Sequence, residues 1–128
     1  MKRLPPPPLF ALAVAAPLRA DTPETPRPLF TADLSDAHDP QGVWSFSDGI
    51  LSATADHNLW TDDDYEDFLL ELEFRTSQGT NSGVVVYASE TENWIPNSIE
   101  IQITDDYSKR WSEADPSWRS GAFFGHKP

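Results

Sequence analysis

Ser98-Ile99-Glu100-Ile101-Gln102-Ile103-Thr104-Asp105 decides the fold class of this chain. Ile99, Ile101 and Ile103 alternate with Ser98, Glu100, Gln102 and Thr104. A period of two reads as a strand, with isoleucines on a buried face and hydrogen-bonding side chains on the opposite one. A polar row on a sheet is a floor for a polar ligand, and a sugar is the obvious candidate. Upstream, Asn81-Ser82-Gly83 opens a second β-run. Its continuation, Val84-Val85-Val86-Tyr87, is apolar on both sides and therefore reads as a central strand.

The remaining signals are also of β type. Val43-Trp44-Ser45-Phe46 and Ile50-Leu51-Ser52-Ala53 flank Ser47-Asp48-Gly49, where Asp-Gly supplies a hairpin turn. Phe68, Leu70, Leu72 and Phe74 alternate with Leu69, Glu71, Glu73 and Arg75, which predicts a half-buried strand. A long loop runs from Asp106 to Ser120, and Gly121-Ala122-Phe123-Phe124 begins another strand. No amphipathic helix of ordinary length is evident. Short strands separated by turn residues indicate an all-β sandwich or barrel. The last apolar run has nothing downstream to pair with before Pro128, so the domain is expected to be incomplete at its C-terminus.

The start of the chain has the layout of an export leader. Met1-Lys2-Arg3 is basic, Leu9 to Leu18 is apolar but too short to span a bilayer, and small residues follow at Ala15, Ala16 and Ala20. Residues 1–20 are read as a signal peptide, residues 21–28 (DTPETPRP) as a proline-rich tether, and residues 29–128 as the folded domain. The expected location is secreted or periplasmic. Loss of residues 1–20 removes Lys2, Arg3 and Arg19 but no acid, which takes the net charge from −12 to −15. Such a surface repels phosphate backbones and anionic lipid, so nucleic-acid and membrane-surface roles are disfavoured. With no cysteine in the chain, there is neither a disulfide nor a thiol nucleophile.

The order of these segments resembles the 3-keto-disaccharide hydrolase domain family. The resemblance is carried by Trp44…Asp48-Gly49-Ile50-Leu51, Leu59-Trp60-Thr61…Tyr65-Glu66-Asp67-Phe68 and Glu73-Phe74-Arg75. It continues through Gly79-Thr80-Asn81-Ser82-Gly83, Ile99 to Asp105 and Gly121-Ala122-Phe123-Phe124-Gly125. No single segment is specific, but six in order are. The resemblance implies a concanavalin-like β-sandwich (jelly roll) in an exported bacterial protein. The implied activity is cleavage of glycosides whose glucose unit has been oxidised to a ketone at C3. Two positions depart from the family pattern: an arginine usual at the end of the strand that Asn81-Ser82-Gly83 opens is replaced by Tyr87-Ala88, and a tyrosine before the glutamate by Ile99.

A C3 ketone acidifies the proton on C2, so the C1 substituent can leave by elimination and water can add afterwards. That route needs a base near C2, a group polarising the ketone oxygen and a proton for the leaving oxygen. Glu100, mid-strand on the polar face, is the candidate base. Gln102, two residues on and ~7 Å along the same face, is expected to bind sugar hydroxyls. Asn81 and His126 are candidates for polarising or protonating roles, and Asp105 and Trp60 for substrate binding. A solvated strand carboxylate is the plain alternative for Glu100. Motif order outweighs it.

Two rival readings use the same residues. Retaining glycoside hydrolysis would pair Glu100 with Asp105, but Asp105 points to the opposite face of a regular strand. That chemistry needs carboxyls about 5–5.5 Å apart. The other rival is a lectin-like binding module without catalysis, in which Trp60, Trp94, Trp111 or Trp118 stack on sugars, although packing is the commoner role for any one tryptophan. Asp62-Asp63-Asp64 and Asp105-Asp106 read as solvated acidic turns, and His38, His57 and His126 lack the spacing of a zinc site. Neither a metal nor a cofactor is expected, and the partner is a carbohydrate.

Overall fold

The computed structural model describes residues 10–17, through their backbone, and residues 26–39 and 41–125. The chain divides into two compact units, Pro8–Arg75 and Thr76–Pro128. Every sheet among the described residues is antiparallel, and the all-β expectation is met. Among the described residues, helix is confined to one turn, α1 (Lys109–Ser112), and two 3-10 turns, Ile95–Asn97 and Pro116–Trp118.

The N-terminal unit is organised around β1 (Phe10–Pro17). One edge of β1 pairs along its whole length with β7 (Phe68–Arg75); β2 (Arg27–Pro28) and β5 (Ile50–Ala53) pair with it as well. The stretch read as the core of an export leader therefore occupies a sheet position in this structure. Arg27 and Pro28, the end of the expected tether, pair with Ala15 and Val14. The hairpin β4–β5 (β4, Trp44–Ser47) forms as expected, with Trp44 opposite Ala53 and Ser47 opposite Ile50. Its turn residues Asp48 and Gly49 have φ of 53° and 76°, the left-handed pair that matches the twist of the two strands. A second short pair, β3 (Ala37–His38) with β6 (Trp60–Thr61), places His38 opposite Trp60. Along β7 the alternation holds through Leu72, but Phe74 is exposed.

The C-terminal unit is built on β8 (Asn81–Val86) and β9 (Ile99–Thr104), paired from Asn81 opposite Thr104 to Val86 opposite Ile99. Two sequence expectations are corrected here. Among the described residues of this unit, the strand flanked on both edges is β9, not the valine run. Gly121-Ala122-Phe123-Phe124 is not a full strand but an irregular segment with a single bridge, Ile101 to Phe123. It still fills the free edge of β9: Gln102 N–H donates to Ala122 C=O, while Gly121 N–H and Phe124 N–H donate to Gln102 C=O and Glu100 C=O, at 2.9–3.0 Å. Gly121 and Gly125 have φ of 85° and 71°, which bends the segment at both ends and limits it to the bridge.

Burial on β9 therefore follows position along the strand rather than strict alternation. Ile99 is exposed, Glu100 and Ile101 are half-buried, and Gln102, Ile103 and Thr104 are all buried. The buried apolar residues described in this unit are Ile103, Ala122 and Trp111 of α1. Trp111 is 4% exposed, with the Arg110 guanidinium 4.5 Å from its ring centroid, so it is a packing residue and not a surface stacking platform.

Candidate functional site

One face of the β8–β9 pair carries Asn81, Gly83 and Val85 from β8 and Thr104, Gln102 and Glu100 from β9, opposite one another in that order. The even-numbered residues do project to one side, as read from the sequence. They do not share one environment. The segment from Ser120 to Phe124 lies along the far edge of β9, and burial increases toward the strand's C-terminal half.

Gln102 is 1% exposed and cannot touch a sugar directly. This corrects its expected role. Its Nε2 donates to Asn81 Oδ1 at 3.1 Å, and its Oε1 accepts from Ile103 N–H at 3.2 Å. Both ends of the amide are thus committed, as burial of an amide requires. Asn81 is exposed. With its Oδ1 turned to Gln102, its Nδ2 is the end directed away from that contact, a donor suited to a carbonyl oxygen. Thr104, also buried, donates from its hydroxyl to Asp106 Oδ1 at 2.7 Å, and its N–H donates to Ser120 Oγ at 2.9 Å.

Glu100 sits at the open end of the row, half-buried. Its side chain does not stand above Val85, its register partner, but leans diagonally across the pair to lie over Gly83. A methyl group built on Gly83 would fall 2.6 Å from Glu100 Cγ and 2.8 Å from Cδ. The carboxylate and Asn81 therefore lie over neighbouring same-face positions of β8, two residues and roughly 7 Å apart along the strand.

Asp105 takes another direction. Its Oδ2 accepts from Gly79 N–H at 2.9 Å, and its own N–H donates to Thr80 C=O at 3.2 Å. It fastens the 77–80 turn to the end of β9. Asp106 is half-buried and accepts from the Thr104 hydroxyl and from Ser120 N–H. Burial by itself would raise its carboxyl, but donors from the Thr104 hydroxyl and from Ser120 outweigh that and hold it below the ordinary carboxylate value. Sequence reading missed Asp106 and Ser120 as the groups that close the row, because neither lies in a strand. The remaining candidates are Trp60, which belongs to the N-terminal unit as a half-buried residue of β6, and His126, which lies outside the described residues. Among the described residues no cluster of three His, Asp or Glu groups is placed to hold a metal ion.

The family model described as a 3-keto-alpha-glucoside-1,2-lyase-like domain matches residues 26–128. The chain belongs to that family. Within the 3-keto-glucoside lyase-like family, the chain is 41% identical to a crystal structure from Parabacteroides distasonis named "Putative glycosyl hydrolase". The two superpose with a TM-score of 0.67 over 79% of this chain and 51% of that one, so this chain spans about half the length of its structural relative. No curated protein matches the chain.

Proposed function

We propose that the protein cleaves the glycosidic bond of 3-keto-glucosides by elimination followed by hydration. The observation that carries this reading is a carboxylate, Glu100, held on the same sheet face as an outward amide donor, Asn81, in a chain of the 3-keto-glucoside lyase-like family. Glu100 takes the proton from C2. Asn81 Nδ2 donates to the C3 oxygen, where negative charge develops, and stabilises the enolate. The electron pair left at C2 closes a C1–C2 double bond as the C1–O bond breaks. Glu100, now protonated, returns that proton to the departing oxygen. Water then adds at C1 while C2 regains a proton, giving the free 3-keto sugar and the released alcohol.

A retaining displacement that pairs Glu100 with Asp105 is disfavoured by the commitment of Asp105 to Gly79 N–H. A non-catalytic carbohydrate-binding module is the second reading. It is favoured by Trp118 and Phe124, whose rings lie 6.0 Å apart with 45% and 38% of their surfaces exposed.

The test is turnover of a 3-keto-glucoside carrying a chromogenic alcohol, run in deuterated water. Elimination places solvent deuterium at C2 of the sugar recovered in the first turnovers, and Glu100→Gln lowers turnover by roughly 10²–10⁴-fold. Retention of the original C2 hydrogen sinks the elimination route, and full turnover by Glu100→Gln sinks the assignment of the base. Sugar binding without turnover by the unmodified chain favours the binding module. Export belongs to the same reading: the secreted protein is expected to begin at Pro17 or Asp21, and N-terminal sequencing that finds residues 10–16 retained counts against it.

A further inference from the structure

We infer that Gly83 is a positioning residue for Glu100: the missing side chain at Gly83 is the socket in which the glutamate lies. This inference rests on the proposed role of Glu100 but on a different observation. The chain has six glycines. Five of them, Gly42, Gly49, Gly79, Gly121 and Gly125, have positive φ and open space where a Cβ would go. Their backbone conformation accounts for their identity. Gly83 is the exception. It lies inside β8, its φ is outside the left-handed region, and a Cβ there would collide with Glu100 Cγ and Cδ at 2.6 and 2.8 Å.

Glycine in a strand interior weakens the strand and commonly marks close approach of another group. Here that group is the Glu100 side chain. Real Cβ atoms do not approach carbon so closely, so any larger residue at position 83 must push the glutamate aside. Glu100 would then swing toward Val85 or out to solvent, away from the neighbourhood of Asn81 and Gln102. The socket thus sets the distance between the base and the ketone-polarising amide. A shift of about an ångström in such a group is enough to cost on the order of a hundredfold in rate.

The experiment is a double-mutant cycle on the full chain, combining Gly83→Ala with Glu100→Ala. Urea midpoints are measured for all four proteins, and turnover of the chromogenic 3-keto-glucoside for the unmodified protein, Gly83→Ala and Glu100→Gln. Gly83→Ala is expected to lower kcat at least tenfold with KM changed less than threefold, and to lower the urea midpoint. In the Glu100→Ala background the same substitution meets no side chain, and the midpoint is expected to stay level or rise. If Gly83→Ala fails to fold, Gly83→Ala/Glu100→Ala must still fold. Equal midpoint losses in both backgrounds, failure of both proteins to fold, or a kcat within twofold of the unmodified protein overturns the socket. Full turnover by Glu100→Gln instead overturns the catalytic reading, and the midpoint coupling alone then decides whether Gly83 seats the glutamate.

Discussion

Gln102 Nε2 donates to Asn81 Oδ1 across the β8–β9 pair at 3.1 Å, so a buried amide fixes which end an exposed amide turns outward. Without that contact, Asn81 is free to flip and present an acceptor instead of a donor. The pair separates two tasks that the alternating strand pattern merges: Gln102 supports, and Asn81 faces the open side.

Gln102→Met keeps the side-chain volume and removes the donor. Stability is expected to fall by less than about 1.5 kcal/mol, measured by urea denaturation, while 3-keto-glucoside turnover drops at least tenfold. Gln102→Glu places a carboxyl at a 1% exposed position. Burial raises its folded-state pKa, so its penalty is absent below about pH 4, where folded and unfolded chains are both protonated, and grows as pH rises. Denaturation curves at pH 4 and pH 7 check the sign. A penalty that is larger at pH 4 would contradict the burial of this side chain.

Asp106 behaves in the opposite sense. Although burial opposes it, the Thr104 and Ser120 donors hold its folded-state pKa below the unfolded value of 3.8. Its contribution is therefore complete above about pH 4 and is lost as pH falls through the depressed folded value. Asp106→Asn is expected to destabilise the protein at pH 7 and to make little difference at pH 2. Thermal unfolding at the two pH values would reveal it, and an equal loss at both would show that charge is not involved.

Trp111 is buried, and its Nε1 has no acceptor among the described residues. Trp111→Phe removes an unsatisfied donor together with some ring volume, and should cost much less than Trp111→Ala. The alanine variant loses about 3–5 kcal/mol through the cavity it leaves. Comparable losses for the two variants, read from urea midpoints, would mean that the indole N–H finds a partner after all.

Gly49 has a φ of 76° at the second turn position of the β4–β5 hairpin. Gly49→Ala forces a Cβ into the left-handed region and is expected to cost roughly 1–2 kcal/mol, seen as a lower unfolding temperature. Because a Cβ at Gly49 meets nothing within 4 Å, an unchanged unfolding temperature would show that the turn has changed type.

The sequence by itself determined the β character of the chain, the Asp48-Gly49 turn, the limits of β9 to within a residue and the family. Each depends on local rules: side-chain period along a strand, the φ preference of Gly in a tight turn, and motif order. Tertiary structure decided which polar residues of the even-numbered row remain accessible. Ser98 to Thr104 reads as one uniform polar edge, yet Gln102 and Thr104 are buried beside the 120–124 segment while Glu100 is half open. That segment joins β9 through backbone hydrogen bonds to its main chain, and such bonds leave no side-chain pattern to read. The lean of Glu100 onto Gly83 was hidden for a similar reason: an empty Cβ position acquires meaning only when the opposite strand is in register.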